Sequence, residues 1–249
     1  EESGCAVGEL AGYRVRLDRR ESDKTRILFI TEGIMTSLIQ RDPFLEGIGA
    51  VILDEFHERS LESDLALAML REVQQEARPD LRIIVASATL ESGPVAQYLG
   101  AEVIELEEPG YPVEVEYLRA HSTEPLEKRV AAGVREAWLK RPGGSGDLLA
   151  FLPGAGEIRR TEKELLEWSK KKDIEILTLH GNLSPSAQER ALTPGGRDRV
   201  ILSTNVAESS VTIPSLAAVV DSGLVRTLVS DPATLIDRLE TVPASRHSA

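Results

Sequence analysis

Short apolar runs alternate along this chain with longer segments whose apolar residues recur every three or four positions. Arg26-Ile27-Leu28-Phe29-Ile30 reads as a strand. Thr31 stands where it caps a helix carrying Ile34, Leu38 and Ile39, which stops at Asp42-Pro43. Ala50-Val51-Ile52-Leu53 lacks the alternation of a half-wet strand, so it is expected as a buried parallel strand. Leu61, Leu65, Met69 and Val73 at i+4 spacing predict the next helix, ended by Arg78-Pro79. Ile83-Ile84-Val85-Ala86 is the strand after it. This alternation predicts an α/β fold whose mostly parallel sheets are covered on both faces.

The pattern breaks at Glu107-Glu108-Pro109-Gly110, which places a domain boundary between residues 1–109 and 110–249. Val113-Glu114-Val115-Glu116-Tyr117 alternates like an edge strand. Leu126, Val130, Val134 and Trp138 mark a helix, followed by the loop Pro142-Gly143-Gly144-Ser145-Gly146. Leu148 to Leu152, Ile174 to Leu179, Val200 to Ser203 and Ala217 to Val220 read as four more strands. Pro185 begins one intervening helix and Pro194-Gly195-Gly196 ends it. There is no internal sequence repeat, yet both halves are βα arrays of similar length. Two similar α/β lobes with a cleft between them are expected.

Polar clusters begin where these strands end: Thr31-Glu32-Gly33, Asp54-Glu55-Phe56-His57, Ser87-Ala88-Thr89, Pro153-Gly154, His180-Gly181-Asn182, Thr204-Asn205 and Asp221-Ser222-Gly223. Open α/β sheets bind ligands beyond the carboxyl ends of their strands. Small, hydroxyl and glycine residues there suit phosphate binding through backbone N–H and hydroxyl donors. Asp54 and Glu55 can divide the work of a hydrolytic site, one holding a metal ion on a phosphate and the other orienting a water. A bare Asp-Glu pair also reads as a solvated acidic turn, and any single cluster also reads as a polar cap. Capping alone is a poor account of seven in order.

Composition narrows this picture. The 249 residues carry a formal charge of −12, which argues against a simple basic nucleic-acid binder. Residues 1–110 hold 22 acidic and 11 basic side chains, and the remainder hold 19 and 18, so the halves differ electrostatically. An acidic protein still holds nucleic acid where a groove supplies amides, hydroxyls and local cations. No apolar stretch approaches the ~20 residues of a membrane span, and no basic-then-apolar segment opens the chain. Cys5 is the single cysteine, which suits a reducing cytoplasm. Lys170-Lys171-Lys172 reads as a solvated helix end, Trp138 and Trp168 as core, and Arg14, Arg16, Arg19 and Arg20 as a surface strand.

The ordered clusters resemble the DEAH-box branch of superfamily 2 helicases, in the wording of its bacterial HrpB-type members. Thr-Glu-Gly-Ile-Met at 31–35 resembles motif Ib, and Asp-Glu-Phe-His-Glu-Arg-Ser at 54–60 resembles motif II, the Walker B element. Ser-Ala-Thr-Leu at 87–90, starting 33 residues after Asp54, resembles motif III. Phe-Leu-Pro-Gly-Ala-Gly-Glu-Ile at 151–158 resembles motif IV, and Ser-Thr-Asn-Val-Ala-Glu-Ser-Ser-Val-Thr-Ile at 203–213 resembles motif V. Val-Val-Asp-Ser-Gly-Leu-Val-Arg at 219–226 resembles the strand after it. The resemblance implies two RecA-like lobes, both incomplete, that use ATP and Mg²⁺ to move along single-stranded RNA or DNA in the 3′-to-5′ direction.

Residue by residue, the resemblance implies that Asp54 holds Mg²⁺, mainly through water, and that Glu55 polarises the attacking water. His57, Ser87 and Thr89 couple nucleotide state to lobe movement. Thr31, Gly33, Gly154, Gly181, Thr204 and Asn205 touch the nucleic-acid backbone. Ser210 and Thr212 lie near the nucleotide. Leu228 to Val242, with Asp231-Pro232 at its turn, resembles the strand-parting β-hairpin; an edge hairpin closing the sheet reads equally well.

The pattern also departs from the family. No Gly-Lys pair occurs anywhere, so the chain contains no P-loop. The arginine-rich motif VI is missing, and Pro214 stands where many relatives carry an acidic residue. The expected explanation is a fragment cut at both ends that is inactive alone. Two other readings stand beside it: a different P-loop machine, such as a restriction or transport ATPase, and a non-catalytic nucleic-acid or protein-binding module on a degenerate helicase core.

Overall fold

The computed structural model describes residues 4–88, 92–106, 112–118, 123–207, 213–230 and 237–245. The chain divides into two compact units, Glu1–Gly110 and Tyr111–Ala249.

The first unit runs β1 (Ala11–Val15), β2 (Asp18–Arg20), β3 (Ile27–Ile30), α1 (Glu32–Arg41), β4 (Ala50–Leu53), a 3-10 turn (Phe56–Glu58), α2 (Leu61–Glu76), β5 (Arg82–Val85) and α3 (Ser92–Leu99). β1 pairs antiparallel with β2 and parallel with β3; Arg14, Arg19 and Arg20 lie on these short strands and Arg16 on the turn between them. β4 pairs parallel with β5. Met35 and Ile39 of α1 and Ala66, Leu67, Leu70 and Val73 of α2 pack with Leu45, Leu53, Phe56 and Leu81. Arg78 secures the connection into β4, its guanidinium donating to the carbonyls of Phe44, Leu45 and Ile48 at 2.8–3.0 Å.

Two expectations for this unit are corrected. The buried stripe of α2 is Ser63, Ala66, Leu67, Leu70 and Val73, while Leu61 and Leu65 are exposed. Each i+4 step advances about 40° around a helix, so a strict i+4 row drifts off the buried face. β4 is not buried on both sides either. Ile52 is 62 % and Ile84 47 % exposed, because among the described residues the helices cover one face of the β4–β5 pair. Thr31 occupies the N-cap of α1, but its side chain makes no capping hydrogen bond.

The second unit runs α4 (Leu126–Lys140), a 3-10 turn (Pro142–Gly144), β6 (Asp147–Phe151), α5 (Ala155–Lys172), β7 (Glu175–Leu179), α6 (Pro185–Leu192), β8 (Arg199–Ser203), a 3-10 turn (Asn205–Ala207), β9 (Leu216–Asp221), β10 (Leu224–Ser230) and β11 (Asp237–Pro243). The sheet order is β7-β8-β6-β9, parallel throughout. Here the runs of the two central strands, β6 and β8, do bury both faces, while Leu216 and Val219 of the edge strand β9 are exposed. Leu148, Ala150, Val200 and Leu202 face α4 and α5, while Leu149 and Ile201 face Leu179, Ala191, Ala207 and Ile213. Trp138 and Trp168 meet edge to face with centroids 5.5 Å apart, as core residues. β10 and β11 form an antiparallel hairpin whose turn lies outside the described residues. Residues 113–117, expected as an edge strand, form none. Glu116 pairs with Lys140 and Leu118 lies against Gly133, so α4 holds this segment through side chains rather than a backbone ladder.

At the amino-terminal edge of the second sheet, Arg199 and Asp147 form an ion pair with side chains 1 % and 4 % exposed. Arg199 Nε donates to Asp147 Oδ2 at 3.0 Å and the Arg199 amide donates to Oδ1 at 3.1 Å. The Ser215 hydroxyl also donates to Oδ2, and the guanidinium reaches the Thr193 carbonyl. Burial pushes the Asp147 carboxyl up, but the bonds from Arg199 and Ser215 outweigh it and hold the group below the usual carboxylate range. A depressed value means that this stability is present above the unfolded carboxylate value of ~3.9 and is lost as pH falls through the folded one. Asp147→Asn should therefore cost about 3–5 kcal/mol in urea denaturation near neutral pH. The gap to wild type should narrow as pH falls below ~4.

Candidate functional site

β4 and β5 pair in register from Ala50↔Arg82 to Leu53↔Val85, so their carboxyl ends emerge side by side. The pairing continues one step further: the Ala86 amide donates to the Leu53 carbonyl at 2.8 Å, and the Phe56 amide to the Ala86 carbonyl at 3.1 Å. Between these bonds the backbone turns sharply. Glu55 adopts φ 51°, ψ 35° and Arg59 φ 51°, ψ 45°, both left-handed. Left-handed backbone at a residue with a Cβ costs on the order of 1–2 kcal/mol. The Phe56 ring, 1 % exposed, plugs the core below and holds the turn closed. Ser60 then caps α2, its hydroxyl accepting from the Ser63 amide at 3.0 Å.

This turn throws two carboxylates outward. Asp54 Oδ1 accepts from the Glu55 amide at 2.9 Å. His57 Nδ1 lies 3.3 Å from Glu55 Oε2, close enough for charge attraction when the ring is protonated, but not aligned as a hydrogen bond. The Ser87 hydroxyl, just past β5, is also buried without a hydrogen-bond partner. The first unit therefore brings together Asp54, Glu55, His57 and Ser87, with two unused polar atoms beside the acids. Thr89 lies outside the described residues. Thr31 and Gly33 are exposed at the start of α1, behind a strand of the other sheet of the unit.

In the second unit, register aligns the strand ends. Leu179 pairs with Ser203, Ser203 with Phe151 and Phe151 with Asp221, all in one row. The residues that follow line one edge, held by amide bonds from Thr204 to Leu179, Leu152 to Ser203 and Ser222 to Phe151 at 2.8–3.2 Å. Gly181 and Asn205 are exposed, Thr204 is half-buried and Gly154 is buried. A Cβ at Gly154 would sit 2.8 Å from Arg226 Nη1 and 2.9 Å from Glu157 Oε2, so a larger residue would displace the ends of these two side chains. Sequence reasoning gave Arg226 no role. It is a cation held at this edge, 3.6 Å from Glu157, and no local pattern signals it, because Gly154 and Arg226 are far apart in sequence. His180 Nδ1 is a further buried atom without a partner. Ser210 and Thr212 lie outside the described residues.

The DEAD/DEAH box helicase pattern matches residues 3–97, and the helicase conserved C-terminal domain matches residues 141–240. The chain belongs to the DEAD/DEAH-box helicases. It is 42 % identical over 244 residues to the ATP-dependent RNA helicase HrpB of Escherichia coli, covering 97 % of this chain and 30 % of that protein. It is 36 % identical to HrpA of Borreliella burgdorferi, over 99 % of this chain and 30 % of that protein. The crystal structure of the E. coli DEAH/RHA helicase HrpB superposes with a TM-score of 0.85 over 97 % of this chain and 31 % of that one. The chain thus spans about a third of the length of these helicases, and its mostly parallel α/β units are RecA-like.

The acid turn fits the divalent cation that such helicases use with ATP. Asp54 and Glu55 offer hard oxygen donors, which suit Mg²⁺. Among the described residues no three His, Cys, Asp or Glu side chains gather into a cage. No helix of the described residues is long and apolar enough to cross a membrane. Because the turn is strained at Glu55, Glu55→Gly should leave folding stability equal or higher by up to about 1 kcal/mol in thermal or urea unfolding. Phe56→Ala should cost about 3–5 kcal/mol.

Proposed function

We propose that this chain supplies the motif II–III and motif IV–V parts of an ATP-dependent helicase that moves on single-stranded RNA. The observation that carries the reading is the turn at the end of β4, where Glu55 Oε2 lies 3.3 Å from His57 Nδ1, next to the paired strand β5 that leads into the unpartnered Ser87 hydroxyl. A hydrolytic site needs a carboxylate free to orient water and a neighbour that senses its state. Asp54 is the metal-holding carboxylate and Glu55 the group that polarises the attacking water. His57 and Ser87 pass the nucleotide state onward, with Thr89 in the same motif. When bound, Mg²⁺ would neutralise charge on the phosphates.

Along the edge of the second unit, Gly154, Gly181, Thr204 and Asn205 contact the sugar–phosphate backbone, as Thr31 and Gly33 do from the first. Phosphate contacts of this kind position a strand without reading its sequence. Ser210 and Thr212 belong to the nucleotide-binding part of motif V. The names of the relatives favour RNA over DNA. With no Gly-Lys pair, the 249 residues carry no phosphate-cradling loop, so we assign the chain alone no ATP turnover.

In a protein of the relatives' length that contains this chain, Glu55→Gln should lower kcat for ATP roughly 10²- to 10⁴-fold. ATP binding should change little. Unaltered turnover in that variant would overturn the assignment of Glu55, and turnover by residues 1–249 alone would overturn the inactivity of the isolated chain.

A further inference from the structure

The proposed strand contacts of the second unit stand at three strand ends of its carboxyl edge. Gly181 follows β7, Thr204 and Asn205 follow β8, and Gly154 follows β6. All are neutral, so they offer a phosphate hydrogen-bond donors but no countercharge. The remaining strand, β9, ends level with β6 in the pair Phe151↔Asp221 and turns back as β10. That turn is fixed to the edge. The Ser222 amide donates to the Phe151 carbonyl at 3.2 Å, and the Gly223 amide donates to Asp221 Oδ1 at 2.7 Å. Arg226, just inside β10, pairs with Thr241 across the hairpin. Its guanidinium comes to lie at Gly154, with Nη1 2.8 Å from where a Cβ would stand.

The protein does not use up this guanidinium. Among the described residues it makes no hydrogen bond, and it approaches one carboxylate oxygen, Glu157 Oε2, at 3.6 Å. Arg160 donates to Glu157 Oε1 at 2.9 Å, while Oε2 has no hydrogen-bond partner. Arg141 and Arg199 of the same unit behave otherwise. Both are buried, and they spend their donors on carbonyls and carboxylates. The Arg226 side chain is 38 % exposed. A guanidinium is a planar fork of donors that matches a phosphate. At Arg226 that fork is held on the carboxyl edge with its donors unspent.

We infer that Arg226 binds the RNA strand directly, holding a backbone phosphate at the β9 end of this edge. Glu157 is the weak counter-ion that faces the guanidinium when no strand is bound. Gly154 suits the arrangement, because a side chain there would push the guanidinium aside. The inference deepens the proposed function and rests on it for the presence of a strand along the edge. The competing account is a structural clamp, in which Arg226 and Glu157 tie the hairpin to α5. In a clamp the two side chains act together; at a phosphate contact they act against each other.

The test is binding of a labelled single-stranded RNA oligonucleotide to the intact protein, followed by fluorescence anisotropy from ~0.05 to ~1 M salt. Arg226→Gln should flatten the slope of log affinity against log salt by about 0.7, the share of one single-strand phosphate, and so weaken binding roughly 5- to 10-fold at the low-salt end. Arg226→Lys should keep the slope, because it keeps the charge. The loss in Arg226→Gln should be the same for uridine, adenosine and cytidine oligomers, since a phosphate contact reads no sequence. Glu157→Gln should leave binding equal or tighter. An unchanged slope in Arg226→Gln would overturn the inference. So would a Glu157→Gln variant that loses as much affinity as Arg226→Gln, which is the behaviour of a clamp. If the intact wild-type protein binds no RNA at low salt, the strand-contacting part of the proposed function fails and takes this inference with it. If wild type binds and Arg226→Gln matches it at every salt concentration, the inference alone fails.

Discussion

In the second unit every neighbouring pair in the four-stranded sheet runs parallel, and the rest of the unit follows from that. Parallel pairing sends all four carboxyl ends to one edge and all four amino ends to the other. The register Leu179, Ser203, Phe151, Asp221 then decides which residues stand together beyond the edge. Glycines, hydroxyls and an amide gather there because the chain leaves each strand at the same level.

The two edges are used in opposite ways. At the amino edge, polar groups are buried and satisfied: Asp147, Arg199 and Arg141 spend their bonds on one another, on Ser215, on Asp198 and on loop carbonyls. At the carboxyl edges, polar atoms are left with capacity to spare, as at His57, Ser87 and His180. Unsatisfied buried polar atoms are costly. Their placement beside the acid turn and the glycine-lined edge fits groups kept for a ligand. The left-handed Glu55 belongs to the same logic, since strain persists where the surroundings over-determine it, here through Phe56 and its bond to Ala86.

Much of this was readable from the sequence, for specific reasons. β6 and β8 were visible because strands buried on both faces are written as unbroken apolar runs. Pro185 announced the start of α6; the cap, Ser184 beside it, was not read from the sequence. The polar clusters were visible because each follows such a run. The failures have equally specific causes. The α2 face was misread because i+4 spacing drifts around a helix. The 113–117 alternation produced no strand because alternation reports one wet face, not the presence of a partner. Arg226 over Gly154 and Ser215 on Asp147 were invisible because they join residues brought together only by the parallel sheet and its hairpin.

The account is most directly tested by Mg²⁺-dependent ATP hydrolysis in the intact protein, titrated with single-stranded RNA. The proposed hydrolytic role of the acid turn and the proposed strand-contacting role of the carboxyl edge predict a turnover rate that rises with RNA and saturates. A rate independent of RNA at every concentration would contradict it.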